Sequence, residues 1–505
     1  MKLNSPRLIF SLWSYLKIKR KRQIYFAFFL MVFNAFMEMV SIGSVIPFII
    51  LISEPEKVEN LKTIKNFFIS INFIQNDSQF LLLSSFTFIT LILFSSFIRI
   101  INIKFAFNLA ANIANDFSSE AYFKSLNKSY EEHLLENSSK FISTSLLEVN
   151  RVEGVIFYTL SFSIGFITAL TIIATLLTIN FLMTITTSLI LGIGYLVVSE
   201  WSKKILKNNS FIISNSNNSQ VKLMQEGFGS IREVILEGFQ PIYAEKYKKF
   251  DYLSRIKLAE KNFISAIPRY IFEAFTITLM VFFALFYSLF SKNSGSIIPN
   301  LALFALAAQK LLPAMQLCYS SLSNVRGCIS SLEKVKEILD QKLDKKIILK
   351  RIKPYILKKE LVFENVSFAY QNKNRVLDNI NFKIYKGEKI GISGKTGSGK
   401  STLIDLILGL LEPKDGNIYV DGKNLNHYKN RSLYTSWQKS LAHVPQQIYL
   451  NDCSIKENIA FGIPTNQIDK KLLNQAIQLS LTGEFVSELP HGINTLVGEK
   501  GFLLS

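Results

Sequence analysis

The stretch Gly394-Lys395-Thr396-Gly397-Ser398-Gly399-Lys400-Ser401-Thr402 limits what this chain can fold into more than any other part of it. It satisfies G-x-x-x-x-G-K-[ST] at every fixed position. A strand-like run, Lys389-Ile390-Gly391-Ile392, precedes it and a helix-like run, Leu403-Ile404-Asp405-Leu406-Ile407-Leu408, follows it. The glycines let backbone N–H groups and the start of the next helix converge on phosphate oxygens. Lys400 adds a point charge for the β- and γ-phosphates, and the Ser401 hydroxyl is placed to ligate Mg²⁺. The spacing predicts a nucleotide site on an α/β domain, with ATP and Mg²⁺ as cofactors.

The remainder is too apolar for a soluble enzyme of 505 residues: 49% of the chain is hydrophobic, mean hydropathy is positive and the net charge is +19. Six apolar stretches reach roughly the 20 residues that a bilayer crossing requires, at about 24–52, 80–103, 154–178, 181–200, 266–290 and 297–320. The first is too long for a signal-peptide core and no small-residue cleavage pattern follows, so it reads as a retained helix. Residues 1–330 are therefore read as a membrane domain, the lysine-rich stretch 331–360 as a linker, and 361–505 as the nucleotide domain. The polar stretches at about 104–153 and 201–265 are helix-compatible, as if membrane helices continue into the cytoplasm.

Lysine and arginine clusters at 17–22 and between 203 and 257 belong on the cytoplasmic side. With an even number of spans, both termini and the nucleotide domain face the cytoplasm of a plasma (bacterial inner) membrane, and the connections at 53–79, Asn180 and 291–296 lie outside. The basic balance matches anionic lipid headgroups, and no nucleic-acid-binding motif accompanies it, so nucleic acid is excluded as a partner. Cys318, Cys328 and Cys453 are scattered without neighbouring histidines, which supports neither a disulfide framework nor a zinc site.

Other residues extend the phosphate-loop pattern. Val366-Ser367-Phe368-Ala369-Tyr370 stands before the loop; His443-Val444-Pro445-Gln446, Asp452-Cys453-Ser454-Ile455-Lys456-Glu457-Asn458-Ile459 and Thr495-Leu496-Val497-Gly498-Glu499-Lys500-Gly501 stand after it. With these the chain resembles, over nearly its whole length, the half-transporters of the ATP-binding cassette exporter family. The resemblance implies an all-α membrane domain of six helices followed by an α/β nucleotide-binding domain. It implies that Tyr370 stacks on adenine, and that Gln446 contacts Mg²⁺ and the attacking water as a catalytic and metal-binding residue. It also implies a second half-transporter as partner, in a homodimer, and coupling helices near Tyr130-Glu131-Glu132-His133 and Glu237-Gly238-Phe239-Gln240-Pro241.

The sequence reaches Leu504-Ser505 where that family continues into its Leu-Ser-Gly-Gly-Gln signature. The nucleotide domain is therefore expected to be incomplete at its C-terminal end, since the strand ending in Asp-Glu and the switch histidine have no counterpart in 361–505 and Val420-Asp421-Gly422 reads as a hairpin turn. The chain is expected to be a fragment of a longer product. A non-hydrolysing nucleotide-binding membrane protein is the alternative.

Charges within apolar spans are costly and mark polar paths. Here they are Glu38, Arg99, Arg269 with Glu273, and Lys310. Arg269 and Glu273 are four apart on one helix, a spacing that predicts an intrahelical pair. These spans are similar to those of bacterial flippases for lipid-linked oligosaccharides. That likeness implies that Arg99, Arg269 and Lys310 bind a lipid pyrophosphate along a path that includes Glu38 and Glu273. The expected function is ATP-driven export or flipping of an amphiphile, such as a lipid-linked oligosaccharide or a similar anionic lipid, with membrane lipid as surroundings; a peptide or drug exporter is the alternative.

Overall fold

The computed structural model describes residues 5–53, 77–178, 181–290, 297–341, 353–371, 374–425, 431–446 and 448–504. The connections expected outside the membrane fall largely beyond these residues, as does 342–352 of the expected linker. Two compact units emerge, residues 1–348 and 349–505.

The first unit is helical. α1 (Ser5–Leu12) leads to the long helices α2 (Ile18–Ser53) and α3 (Asp77–Leu126), the short α4 (Tyr130–Leu135) and α5 (Ser138–Ser143), and a π-helical turn at Thr144–Glu148. α6 (Val149–Leu177), α7 (Phe181–Gly229), α8 (Ile231–Leu236), α9 (Gln240–Phe290), α10 (Ile297–Arg326) and α11 (Ile329–Leu339) follow. Four helical spans among the described residues are long and apolar enough to cross a membrane: Ile18–Ser41, Gln79–Leu126, Ser138–Leu177 and Thr184–Gly229. Part of the expected linker is helix: α11 buries Leu332, Val335 and Leu339 in the same core as Ile113, Phe117 and Val152.

Small residues set how closely the helices pack. A Cβ on Gly165 would lie 3.0 Å from the Ala314 carbonyl oxygen, and one on Gly194 would lie 2.4 Å from the Phe272 ring. The second contact lets Tyr195 and Phe272 come within 4.3 Å between ring centroids. Pro268, inside α9, cannot donate to the Ile264 carbonyl one turn back; the Tyr319 hydroxyl does so instead at 3.0 Å. α9 thereby keeps its backbone paired at a proline and is tied to α10.

α4 begins with a reciprocal capping box between Ser129 and Glu132. Glu148 closes the π-helical turn and is fully buried. It accepts from the Ser214 hydroxyl of α7, and Lys334 of α11 stands 3.5 Å away.

The second unit carries β1 (Glu360–Phe368), β2 (Leu377–Tyr385), α12 (Lys400–Ile407), β3 (Asp415–Val420), β4 (Lys423–Asn424), α13 (Arg431–Gln438), α14 (Ile455–Ile459), α15 (Lys470–Leu479) and α16 (Gly483–Glu488). Its antiparallel sheet runs β2-β1-β3-β4, with Leu361 opposite Val420 and Phe363 opposite Ile418 and Phe382. Asp421 and Gly422, at φ +50° and +73°, make the two-residue turn into β4. The Trp437 indole donates to the Ile407 carbonyl at 2.8 Å, anchoring α13 to the end of α12.

One local expectation is not met. Lys389–Ile392 forms no ladder, and Ile390 and Ile392 are 46% and 41% exposed. The run His443–Gln446 is likewise coil, with Val444 87% exposed. Strands of this apolar kind are held by neighbours on both edges and by covered faces, and no described strand pairs with either run.

Candidate functional site

The loop between β2 and α12 is shaped by backbone that only glycine adopts without strain. Gly397 and Gly399 stand at φ +84° and +86°, and a Cβ on Gly399 would meet the Leu377 side chain at 2.9 Å. The Ser398 amide donates to the Lys395 carbonyl at 3.1 Å, closing the turn. α12 then starts at Lys400 with no side chain capping it, so its first amides point toward the loop without an intrahelical partner. The Lys400 ammonium folds back over the loop and donates to the carbonyls of Gly394 at 2.8 Å and Lys395 at 2.9 Å. Thr396, Ser398 and Ser401 are exposed.

This arrangement fits a phosphate chain. It offers a concave run of backbone, an uncapped helix start and an ammonium that rests on neutral carbonyls. The exposed Ser401 hydroxyl fits a Mg²⁺ ligand. Tyr370 lies edge-on against Phe368, with ring centroids 5.0 Å apart, and its hydroxyl is 3.2 Å from Oγ1 of buried Thr402. The end of the run after β1 and the start of α12 are thereby joined. Gln446 sits on exposed coil and makes no hydrogen bond among the described residues. Asp405, on α12, has its carboxyl pushed up by burial, with His443 drawing it partly back. Neither Asp405 nor the Tyr370–Thr402 tie was picked out from the sequence; a carboxylate one turn beyond the loop's Ser401 is the signal that was there.

The membrane unit holds a second feature. A cavity of about 630 Å³ is lined by Arg99 of α3, Tyr195 of α7, Arg269, Glu273 and Thr276 of α9, and Gln309, Pro313, Gln316 and Ser320 of α10. A smaller cavity of about 50 Å³ is lined by Asn34, Glu38, Arg99, Thr168, Gln309 and Lys310. All five charged residues of the expected path therefore line one or the other, and Arg99 lines both. The Lys310 ammonium is 2.9 Å from Glu38, and the Ser95 hydroxyl donates to the other carboxylate oxygen at 3.4 Å.

The ion pair expected between Arg269 and Glu273 does not form. An arginine placed before its acid at i, i+4 is the weaker orientation, and both side chains are exposed toward the cavity. Among the described residues neither Arg99 nor Arg269 has an ion pair or a hydrogen bond. Gln316 is braced by the Tyr195 hydroxyl at 3.3 Å and donates to the Ser265 carbonyl at 2.9 Å. The polar face Gln309, Gln316 and Ser320 went unremarked in the sequence, although its helical spacing around Pro313 was readable.

The profile of a family described as ABC transporter matches residues 377–497. The chain is 25% identical over 446 residues to an ATP-dependent lipid A-core flippase of Coxiella burnetii, covering 86% of this chain and 72% of that protein. It is 37% identical over 172 residues to the ATP-dependent lipid A-core flippase of Blochmanniella floridana, covering 33% of this chain and 28% of that protein. The latter match thus spans under a third of the relative. A solved structure of a bacterial Atm1-family ABC exporter with ATP bound superposes with a TM-score of 0.74 at 15% identity, over 96% of this chain and 81% of that one, which establishes the fold. A helical unit of apolar helices, followed by a sheet-containing unit that carries the ABC transporter profile over 377–497, gives the chain the fold of an exporter-type half-transporter and similarity to the ATP-binding cassette exporters.

Proposed function

We propose that this half-transporter uses ATP to flip or export an amphiphile with an anionic headgroup, such as a lipid-linked oligosaccharide, across the plasma membrane. The observation that carries this reading is the cavity of about 630 Å³ walled by Arg99 and Arg269, neither of them neutralised by a described neighbour. Two guanidiniums that form no ion pair among the described residues, against the single Glu273 carboxylate in the same wall, favour a multivalent anion, and the apolar remainder of the wall suits a lipid chain. The relatives named as lipid A-core flippases support a lipid cargo over a peptide or drug.

In this reading Tyr370 stacks on the base, the loop from Gly394 to Thr402 and the start of α12 hold the phosphates, and Lys400 exchanges its two carbonyl partners for phosphate oxygens. Ser401 and Gln446 would hold Mg²⁺, which would supply positive charge beside the phosphates, and Gln446 would orient the attacking water. A second half-transporter, in a homodimer, completes each site. Six helices span the bilayer, with the nucleotide unit and both termini in the cytoplasm, as the lysine and arginine distribution favours.

The test is to express the whole reading frame containing this chain, place the product in lipid nanodiscs, and titrate ATPase activity with a polyprenyl diphosphate, a zwitterionic lipid and a cationic drug. Stimulation by the diphosphate alone is expected. Stimulation by the drug alone would overturn the reading.

A further inference from the structure

We infer that Glu38 is a fixed counter-ion that withholds Lys310 from weakly charged headgroups, so that the Glu38–Lys310 pair selects amphiphiles carrying a diphosphate-like charge. The inference rests on the reading of the cavity as a substrate path.

The two partners are unequal. Glu38 is 3% exposed and its carboxylate is held from the far side by Ser95 at 3.4 Å. Lys310 keeps 39% of its side chain exposed and carries its charge at the end of a flexible four-carbon stem, 2.9 Å from Glu38. The cation can therefore change partner while the anion cannot. The pair also lies within reach of a bound headgroup, because Arg99 lines both the large cavity and the small one that contains Glu38 and Lys310. Asn34 lines the same small cavity at 2% exposure, and its Oδ1 has no hydrogen-bond partner among the described residues. An unpaired acceptor beside an ion pair marks a space built for a further polar group.

Electrostatics sets the threshold. Drawing Lys310 toward a ligand leaves a buried carboxylate without its counter-charge, which is strongly unfavourable. A monoanion offers Lys310 no more charge than the carboxylate it would give up, so the pair stays closed and only Arg99 and Arg269 hold the ligand. A diphosphate offers more charge and more acceptor oxygens, and recruits the third cation.

The probes are farnesyl diphosphate and the monoanionic diester farnesyl methyl phosphate, with binding to the nanodisc-held full-length protein measured calorimetrically. Wild type is expected to prefer the diphosphate by tenfold or more. Glu38→Gln frees Lys310, and is expected to tighten the diester at least fivefold and narrow the preference. Lys310→Met is expected to weaken the diphosphate alone. An unchanged preference in both variants overturns the inference. Arg269→Ala separates the two levels: weaker binding of both probes there, with the preference unmoved by Glu38→Gln, sinks the selectivity inference and leaves the path intact, whereas no effect of Arg269→Ala on either probe sinks the path itself. Should Glu38→Gln fail to fold, as judged by melting without probe, the double variant Glu38→Gln, Lys310→Met removes both charges together. Loss of the preference there supports the inference, and a wild-type preference contradicts it.

Discussion

The hydroxyl of Tyr370 lies 3.2 Å from Oγ1 of Thr402, so the tyrosine that precedes the glycine-rich loop is tied to the helix that follows it. Thr402 is buried and Tyr370 rests edge-on against Phe368, so the ring is held on two sides. Tyr370→Ala is expected to weaken ATP binding about three- to tenfold, the worth of one aromatic contact of about 0.5–1.5 kcal/mol. Tyr370→Phe keeps the ring and should lose less than threefold. Equilibrium titration with a fluorescent ATP analogue reads both. Equal losses in the two variants would mean that the hydroxyl, not the ring, carries the effect.

Lys400 now spends its charge on two carbonyl oxygens, a weaker arrangement than one on phosphate. Lys400→Met should reduce ATP affinity about ten- to a hundredfold, from about 1.5–3 kcal/mol for hydrogen bonds to a charged group. The melting temperature without nucleotide should stay close to wild type, because among the described residues the ammonium is bonded only within its own loop.

Gly399 combines φ +86° with a wall 2.9 Å from where a Cβ would stand. Gly399→Ala is expected to destabilise the 349–505 unit by about 1–3 kcal/mol, the cost of a non-glycine residue in the left-handed region. Trp437 is buried in this unit, and its fluorescence during urea unfolding reports the loss; an unchanged midpoint would contradict the geometry.

Asp421 supplies a pH dependence. Burial pushes its carboxyl up, but the backbone amides of Lys358, Lys359 and Glu360 and the Tyr355 hydroxyl all bond it and bring it below the ordinary carboxylate value. A group lowered in the folded state contributes stability that is present above its unfolded pKa, near 3.8, and is lost as pH falls through its folded value. Asp421→Asn tolerates the same φ of +50°, removes the charge and replaces one of the two accepting oxygens with an amide NH2 that cannot accept. It should lower the melting temperature at pH 7 and flatten the decline between about pH 5 and 3. An acid limb as steep as that of wild type would assign the pH dependence elsewhere.

The phosphate loop was legible because its chemistry is local: glycines at left-handed positions, a lysine and a hydroxyl follow one another within nine residues. Single charges inside apolar spans were legible for the same reason. Their pairing was not, since Glu38 and Lys310 meet across 272 positions, and the spacing that suggested Arg269 with Glu273 described only what one helix permits. Lys389–Ile392 has a strand's composition, yet a strand exists only through its neighbours. Glu148 gave no signal, sitting in a polar helical stretch until α7 and α11 close over it.

That enclosure has a measurable consequence. Lys334→Met leaves the fully buried Glu148 carboxylate without its closest cation, Arg151 being 3.9 Å from the other oxygen. Breaking a buried pair on one side costs about 3–5 kcal/mol, so the membrane unit should melt markedly lower, and Glu148→Gln introduced alongside should recover part of the loss. No recovery would show that Lys334 acts through packing.

The central claim is tested most directly by transport itself. The full-length product, reconstituted in liposomes with a polyprenyl diphosphate bearing a fluorescent sugar, is followed by quenching of the outer-leaflet label. Flipping of this lipid between leaflets is expected to require ATP, to disappear in Lys400→Met and to fall about tenfold or more in Arg269→Ala, the loss of one charge-assisted contact. ATP hydrolysis that proceeds normally while the lipid stays in its leaflet would contradict it.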